Sequence, residues 1–332
     1  MKLPKLPPKA AYLTLSNPTR RNALSLSVLR SLRNQLHSYT VSPADGYPRL
    51  LPAFTPATLY TLGESRETAW LIDAKKWRAE RAGLPDVLVL RSDSSGAASS
   101  GEEVFSSGHD LRELRQQQQQ SSDDGTGDAA TRETFQLCAE VMSLLRRFPG
   151  PVVSVVTGLA TAAGAQLALS ADLPIACAER AAFQLPGMSA LGLPCTSPAT
   201  AVSRRLGLGL GYRMFALGEP VRPADLPPSL SSVEVVKGGR DAVEARVAAV
   251  VERLAVGMPA QPQALGKWAF WTQAGFGGGA GLGGIREYDG DGDGYLEAAE
   301  WAGRVMALHA RSEDAREGVR AFLEKREPNW WT

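Results

Sequence analysis

The chain has 332 residues, and its 36 basic and 35 acidic side chains leave a net charge of +1. Because this balance creates no large electrostatic field, it argues against nucleic acid or an anionic membrane surface as partner. No apolar run reaches the length of about 18 residues that a membrane-spanning helix needs, so we expect no membrane span.

The cysteines and the N-terminus bear on the cellular compartment. Cys138, Cys177 and Cys195 are widely spaced and odd in number, which suits a reducing compartment and argues against a disulfide framework. Residues 1–10 contain three lysines and three prolines but no apolar signal core, so no transit peptide is visible. These features by themselves indicate a cytoplasmic protein.

The first two thirds of the chain read as strands alternating with helices. Alternation predicts a strand at 12–15, and Ser25 or Ser27 is placed to cap a helix that runs to about residue 38. Continuous apolar runs predict buried parallel strands at 87–90 and 152–156. Further elements are predicted from periodicity: a helix over 133–147, a short apolar helix over 163–170 and a strand over 174–178.

Three segments of this part follow no clear period. They cover about 40–84, 92–103 and 116–130. The second consists of small polar residues, and the third is rich in glutamine and serine, a composition that predicts disorder. Within the first segment, only residues 68–82 have the pattern of a helix.

The last third of the chain is predicted to be helical. A glycine- and aspartate-rich segment at about 276–294 interrupts it. We predict helices at about 198–206, 211–217, 240–256, 264–272, 296–310 and 313–325.

Two turns of small residues are the strongest functional signal. Residues 104–111 and 157–164 each combine a strand exit, small residues and the start of a helix. Such turns can direct two backbone N–H groups at one point with no side chain in the way, which is how an oxyanion hole for a thioester carbonyl is built. Either turn alone is also compatible with an ordinary connection between a strand and a helix.

The order of four segments resembles the enoyl-CoA hydratase/isomerase (crotonase) family. The segments are 17–25, 105–111, 158–167 and 317–326. The resemblance implies an α/β fold, the crotonase ββα spiral, over 1–230, with the three aperiodic segments as insertions. It implies a helical trimerisation region over 231–332, an assembly into homotrimers or hexamers, and a mitochondrial location.

The resemblance also implies a ligand and the residues that bind it. The ligand is an acyl-CoA thioester, and no further cofactor is required. The two oxyanion-hole N–H groups fall on Ser107 and Ala163. Other positions that match ligand contacts of the family are Arg21, Ala23, Leu24, Gly108, His109, Asp110, Phe322 and Lys325. Of these, Asp110 is also a natural N-cap for the next helix, and Phe322 fits equally well as a core residue.

Both catalytic glutamate positions of the family are changed in this chain. They hold Gln166 and Gly187, and neither side chain can transfer a proton as hydration requires. The sequence therefore favours an acyl-CoA-binding protein with weak or no hydratase activity. The alternative is an active hydratase or isomerase of fatty-acid metabolism in which His109 or a bound water acts as the base. Cys195 is interpreted as a small apolar filler rather than a nucleophile.

A second motif predicts a different chemistry. Residues 289–300 match the calcium loop of an EF-hand, but no helix-forming segment precedes them and no second such loop exists. A calcium-binding interaction protein is therefore a third hypothesis, and a loop without calcium is the alternative. The candidate ligands are Asp289, Asp291, Asp293, Tyr295, Glu297 and Glu300.

Overall fold

The computed structural model describes residues 3–52, 56–93, 103–124, 126–187, 199–227, 232–276 and 313–332. The chain forms two compact units. The first unit contains residues 1–39, 87–146 and 152–253, and the second contains residues 40–86, 147–151 and 254–332. This division differs from the expected boundary at residue 230, because the segment after residue 39 belongs with the last part of the chain.

Eight strands build two parallel sheets in the first unit. The larger sheet has the order β1-β2-β4-β6-β8, and the smaller has the order β3-β5-β7. The strands are β1 (Ala10–Leu15), β2 (Val87–Ser92), β3 (Val104–Ser106), β4 (Val152–Val156), β5 (Leu159–Thr161), β6 (Leu173–Cys177), β7 (Ala182–Gln184) and β8 (Glu234–Val236).

The central strands of the larger sheet are buried along their whole apolar length. All five residues of β4 and the first five of β2 are buried. Parallel sheets are covered on both faces, so such strands need continuous apolar runs rather than alternation. The predicted buried strands are thus confirmed.

The connection between the two sheets repeats along the chain. Each of β2, β4 and β6 is followed by a short strand of the smaller sheet, namely β3, β5 and β7. Helices follow β3 and β5 directly, which gives a repeating strand–strand–helix unit. This repeat places the ends of β3, β5 and β7 at one edge of the smaller sheet.

The helices agree with most of the predicted ones. The Ser25 hydroxyl accepts the Val28 N–H at 3.3 Å and caps the first helix, as predicted. None of the described helices is long and apolar enough to cross a membrane. The helices are α1 (Leu26–Ser38), α2 (Pro56–Thr61), α3 (Ala74–Glu80), α4 (Leu111–Asp124), α5 (Thr126–Arg147), α6 (Ala163–Ser170), α7 (Ala199–Leu206), α8 (Leu208–Leu217), α9 (Gly239–Ala255), α10 (Ala260–Phe276) and α11 (Glu313–Glu324).

The disorder predicted over 116–130 is wrong. This segment contributes the end of α4 and the start of α5. Gln117 is buried and donates to Thr134 Oγ1 at 3.2 Å, and its amide oxygen accepts from Thr131 Oγ1 at 3.2 Å. Glutamine is a good helix former, and partners on α5 satisfy its polar groups.

The acidic side chain of Glu179 fixes the start of α9. Its carboxylate accepts the N–H groups of Gly238 at 2.8 Å and Gly239 at 3.3 Å. The hydrogen bond from Gly238, followed by that from the Cys177 thiol, lowers the pKa of Glu179 to about 2. The carboxylate therefore anchors the helix in its ionised form.

The segment 40–84 contributes core residues to the second unit and is not only a surface insertion. Trp70 and Trp77 are buried and stack with ring centroids 5.4 Å apart. They share a core with Leu71, Leu265 and Trp268, the last two from α10. The helix predicted over 68–82 is divided into a 3-10 turn, Ala69–Leu71, and α3, which Asp73 caps.

The end of the chain folds back on α11 within the second unit. The buried Asp314 accepts the Trp331 N–H and, at 2.5 Å, the Thr332 hydroxyl. Glu317 accepts the Asn329 N–H at 2.9 Å and a guanidinium N–H of Arg326 at 2.6 Å. The predicted helix over 296–310 and the glycine-rich segment at 276–294 lie outside the described residues, apart from residue 276.

Candidate functional site

The carboxyl ends of three strands meet at the predicted site. β3 and β7 both pair with β5 in parallel, so their ends lie at the same edge of the smaller sheet. The chain continues from β3 into 107–109, from β5 into 162–163 and from β7 into 185–187. The structure therefore brings together the segments that the sequence assigned to one site.

The Ser107 N–H is already engaged in a backbone hydrogen bond. It donates to the Arg21 carbonyl oxygen at 3.1 Å. A single N–H carries one hydrogen, so it has no second donation to offer a ligand. The prediction that Ser107 supplies one donor of the oxyanion hole is therefore wrong.

His109 provides a free N–H two residues further on. It forms a parallel bridge with Leu24, whose N–H donates to the Gly108 carbonyl at 2.8 Å and whose carbonyl accepts the Asp110 N–H at 3.4 Å. These bonds involve the residues on either side of His109, so its own N–H points away from Leu24. Within the described ranges, no acceptor bonds to this N–H.

Ala163 provides the second free N–H. It is the first residue of α6, and the first N–H groups of a helix have no acceptor within the helix. The preceding N–H, that of Ala162, donates to the Gln184 carbonyl at 2.8 Å, whereas the Ala163 N–H has no partner among the residues described. The positive end of the helix dipole adds to its attraction for an oxygen atom.

Small residues let the two turns approach closely. A Cβ atom on Gly108, whose φ is +82°, would lie 2.9 Å from the Ala162 Cβ and 3.5 Å from the Ala163 nitrogen. Ala162 itself has φ 48° and ψ −125°, a region that costs a non-glycine residue about 1–3 kcal/mol. This strain is held by the packing that places the two free N–H groups on facing turns.

The N-terminal loop beside β3 is fixed by a buried asparagine. The Asn22 amide donates to the carbonyl oxygens of Asp93 at 3.0 Å and Val104 at 3.1 Å. Arg21 is exposed and has a left-handed backbone, with φ 51°. The next two residues, Ala23 and Leu24, are buried.

Asp110 has the structural role of an N-cap. Its Oδ1 accepts the N–H groups of Arg112 at 3.0 Å and Glu113 at 3.3 Å, at the start of α4. The carboxylate also accepts from the Arg20 guanidinium at 3.2 Å, a partner that the sequence did not predict. These bonds leave the carboxylate poorly placed to take a proton from water.

The His109 imidazole packs against an aromatic ring. Its centroid lies 4.9 Å from that of Phe135 on α5, with 70° between the ring planes. Burial lowers the pKa of His109 below its usual value, against the opposing effect of a hydrogen bond with the Leu24 backbone. The lowered pKa favours the neutral imidazole, and its buried Nδ1 has no hydrogen-bond partner in the described structure.

No carboxylate occupies either of the two positions that the resemblance assigns to the family glutamates. Gln166 lies in α6 with 2% of its surface exposed, and its amide has no titratable proton. Gly187 is buried three residues after β7 and has no side chain. The site thus combines two hydrogen-bond donors with two positions, 166 and 187, that hold no carboxylate.

The remaining predicted site residues lie elsewhere. Phe322 is in α11 and Lys325, which is exposed and has φ 54°, follows that helix, so both belong to the second unit. Residues 289–300, with all six candidate calcium ligands, and Cys195 lie outside the described residues. No group of three or more potential metal ligands occurs within the described ranges.

Comparisons with known proteins show the family and the fold. A sequence model described as enoyl-CoA hydratase/isomerase matches residues 93–267. The mitochondrial enoyl-CoA hydratase domain-containing protein 3 of Mus musculus is 30% identical over 320 residues, which is 96% of this chain and 80% of that protein. The crystal structure of the human protein of that name matches at 25% identity with a TM-score of 0.66, covering 98% of both chains.

A bacterial structure is similar to the same extent. The enoyl-CoA hydratase of Mycobacterium smegmatis shows 28% identity and a TM-score of 0.65, and the match covers 98% of this chain and 96% of that chain. These likenesses confirm the predicted ββα spiral.

Proposed function

Because the chain belongs to the enoyl-CoA hydratase/isomerase family, we propose that it binds acyl-CoA thioesters with little or no hydratase activity. The observation that carries this proposal is the pair of free N–H groups, on His109 and Ala163, in a site whose positions 166 and 187 hold no carboxylate. The donors recognise the thioester carbonyl oxygen. Exposed Arg21 is proposed to contact the coenzyme A phosphates. From the family resemblance, Lys325 and Phe322 are proposed to reach the phosphates and the adenine of a coenzyme A that another subunit binds.

The donors and the missing carboxylates have separate consequences. A neutral N–H···O hydrogen bond contributes about 0.5–1.5 kcal/mol, so two donors give a useful share of thioester affinity. Hydration additionally requires a base that takes a proton from water and an acid that protonates the α-carbon. The amide of Gln166 and the hydrogen of Gly187 supply neither, so binding persists while turnover is lost.

The main alternative is an active hydratase or isomerase in which His109 or water replaces the glutamates. A neutral imidazole is the form that accepts a proton. Its buried Nδ1 and its contact with Phe135 argue against this role, because a general base has to reach the proton that it abstracts.

The test combines binding and turnover. Calorimetry with butyryl-CoA measures affinity, and loss of the conjugated absorbance of crotonyl-CoA measures hydration. We expect binding, and turnover far below the typical enzyme rate of about 10 per second. A rate within about tenfold of that value would contradict the proposal.

A double variant, Gln166→Glu with Gly187→Glu, tests the two positions directly. We expect it to gain crotonyl-CoA hydration, because the donors are already in place. Gln166→Met with Gly187→Ala is the matched control, since it alters both positions without adding a carboxylate. Equal rates for the two double variants, both folded, would contradict the assignment of these positions.

Other expectations extend the proposal to assembly, location and calcium. We propose a homotrimer or hexamer, as the family resemblance implies, and a mitochondrial location, as the names of the relatives suggest. Calorimetry with calcium on the wild type and on Asp289→Ala tests residues 289–300. Calcium binding that Asp289→Ala abolishes would support a third function, and equal responses would remove it.

A further inference from the structure

The side chain of His109 and the phenyl ring of Phe135 form an aromatic pair beside the free N–H of His109. The rings meet edge to face, with centroids 4.9 Å apart. Phe135 lies on α5, whose neighbouring apolar residues Leu137, Cys138 and Val141 are buried, whereas 40% of Phe135 is exposed. Phe135 is therefore directed to the imidazole rather than to the core that the other apolar residues of this helix fill.

Covalent geometry keeps this pair close to any bound carbonyl. The donor nitrogen and Cα of His109 are about 1.46 Å apart, so the side chain begins next to the donor atom. An oxygen that accepts from this N–H lies about 2.9 Å from the nitrogen. The His109 side chain, with the phenyl ring packed on it, therefore starts close to the groups attached to the same carbonyl carbon.

The pair behaves as an apolar wall. Burial lowers the pKa of His109 and so favours the uncharged form of the imidazole. Two rings in an edge-to-face contact hold each other in place. An apolar wall beside a bound carbonyl restricts the room for a substituent on the next carbon of the acyl group.

We propose that His109 and Phe135 determine acyl specificity by accepting unbranched acyl groups and rejecting those with a branch at the α-carbon. This inference rests on the proposed acyl-CoA binding. Rejection of one misplaced methyl group in a close-fitting pocket is worth about 10–200-fold in selectivity. The two residues act on the group attached to the carbonyl, whereas the backbone N–H acts on its oxygen.

The test uses the isomers butyryl-CoA and isobutyryl-CoA, which differ only in the branch. Calorimetry gives both dissociation constants for the wild type, His109→Ala, Phe135→Leu and the control Phe215→Leu. Phe215 lies on α8 and contacts Tyr212, 71% of which is exposed. The control Phe215→Leu therefore removes an aromatic pair that lies outside the proposed site. His109→Ala keeps the backbone N–H.

We expect the wild type and Phe215→Leu to bind butyryl-CoA at least tenfold more tightly than isobutyryl-CoA. His109→Ala and Phe135→Leu should reduce this ratio at least fivefold. If either of the two site variants fails to fold, as judged by circular dichroism, the other decides the outcome.

Three results would overturn the inference. One is a wild-type ratio near one, and another is a ratio that neither site variant changes. The third is an equal loss of affinity for both thioesters and for free coenzyme A, which would place the pair against the coenzyme. A folded wild type that binds neither thioester would instead refute the proposed function itself.

Discussion

Replacing Gly108 with alanine perturbs the point where the two donor turns approach each other. A left-handed backbone costs an ordinary residue about 1–2 kcal/mol, and Gly108 has φ +82°. The added Cβ would also lie 2.9 Å from the Ala162 Cβ and 3.1 Å from the Thr161 carbonyl oxygen. Overpacking of this kind costs about 1–3 kcal/mol more.

A matched control separates the two contributions. Gly207 also has a positive φ, +84°, with ψ 153°, but nothing lies within 4 Å of its added Cβ. Gly207→Ala therefore measures the conformational cost of a positive φ, about 1–3 kcal/mol, without a steric contact. Adding Ala162→Gly to Gly108→Ala removes the closest contact and the strained backbone of Ala162 together, so the double variant should recover stability.

Thermal melts followed by circular dichroism measure these costs. A domain of about 150–250 residues loses about 2–4 °C per kcal/mol, so Gly108→Ala should melt at least about 2–4 °C below Gly207→Ala. Loss of one neutral hydrogen bond to the ligand, about 1–1.5 kcal/mol, should weaken butyryl-CoA binding roughly five- to tenfold in Gly108→Ala. Gly207→Ala should bind as the wild type does.

Three results would refute this reasoning. Equal melting temperatures for the two single variants, or no recovery in the double variant, would show that the turns are not in close contact. Unchanged butyryl-CoA affinity in a destabilised Gly108→Ala would show that these turns do not carry the donors.

Other predictions concern the contact between Glu317 and Arg326, the thiol of Cys138 and the carboxylate of Glu179. Glu317→Gln should lower the free energy of unfolding of the second unit by about 1–3 kcal/mol, because a buried carboxylate loses its charge-assisted hydrogen bonds to Arg326. Urea unfolding measures this free energy, and an unchanged unfolding midpoint would contradict the prediction. Burial raises the pKa of Cys138 to about 12, so iodoacetamide at pH 8 should label it only after denaturation; rapid labelling of the folded protein, located by mass spectrometry, would disprove the burial. The pKa of Glu179 is lowered to about 2, so its contribution to stability is present above its usual pKa of 4.5 and is lost as the pH falls toward 2. The melting temperatures of the wild type and of Glu179→Gln should therefore converge as the pH falls below 4.5. A difference between them that grows as the pH falls would contradict the predicted direction of the pKa shift.

Local patterns predicted most elements of the first unit. The Ser25 cap, the apolar runs of β2 and β4, and the short helix at 163–170 all depend on neighbours in sequence, which periodicity and capping rules describe. The same rules placed Ala163 at a helix start, where a free N–H is expected.

Long-range pairing was what the sequence could not show. Whether Ser107 or His109 has the free N–H depends on the register against Arg21 and Leu24, more than 80 positions earlier. A shift of one residue along an extended segment reverses the direction of each N–H. Phe135 was missed for the same reason, because its contact with His109 joins two distant elements.

The buried role of residues 40–84 was missed for a different reason. Prolines and short helices interrupt the hydrophobic periodicity of this segment. Trp70, Leu71 and Trp77 are nevertheless large apolar residues, which are stable only when buried in a core. Their partners on α10 are almost 200 residues away in sequence. Composition rather than periodicity was the signal: tryptophans so close together indicate burial.

The two-unit architecture has a spectroscopic consequence. All seven tryptophans, at positions 70, 77, 268, 271, 301, 330 and 331, fall within the ranges of the second unit, whereas both free N–H donors belong to the first. Indole emission therefore reports on the second unit alone. A thioester whose contacts are confined to the first unit would shift the midpoint of the unfolding transition followed by this emission only if the two units unfold together, whereas contacts of Lys325 or Phe322 would shift it directly.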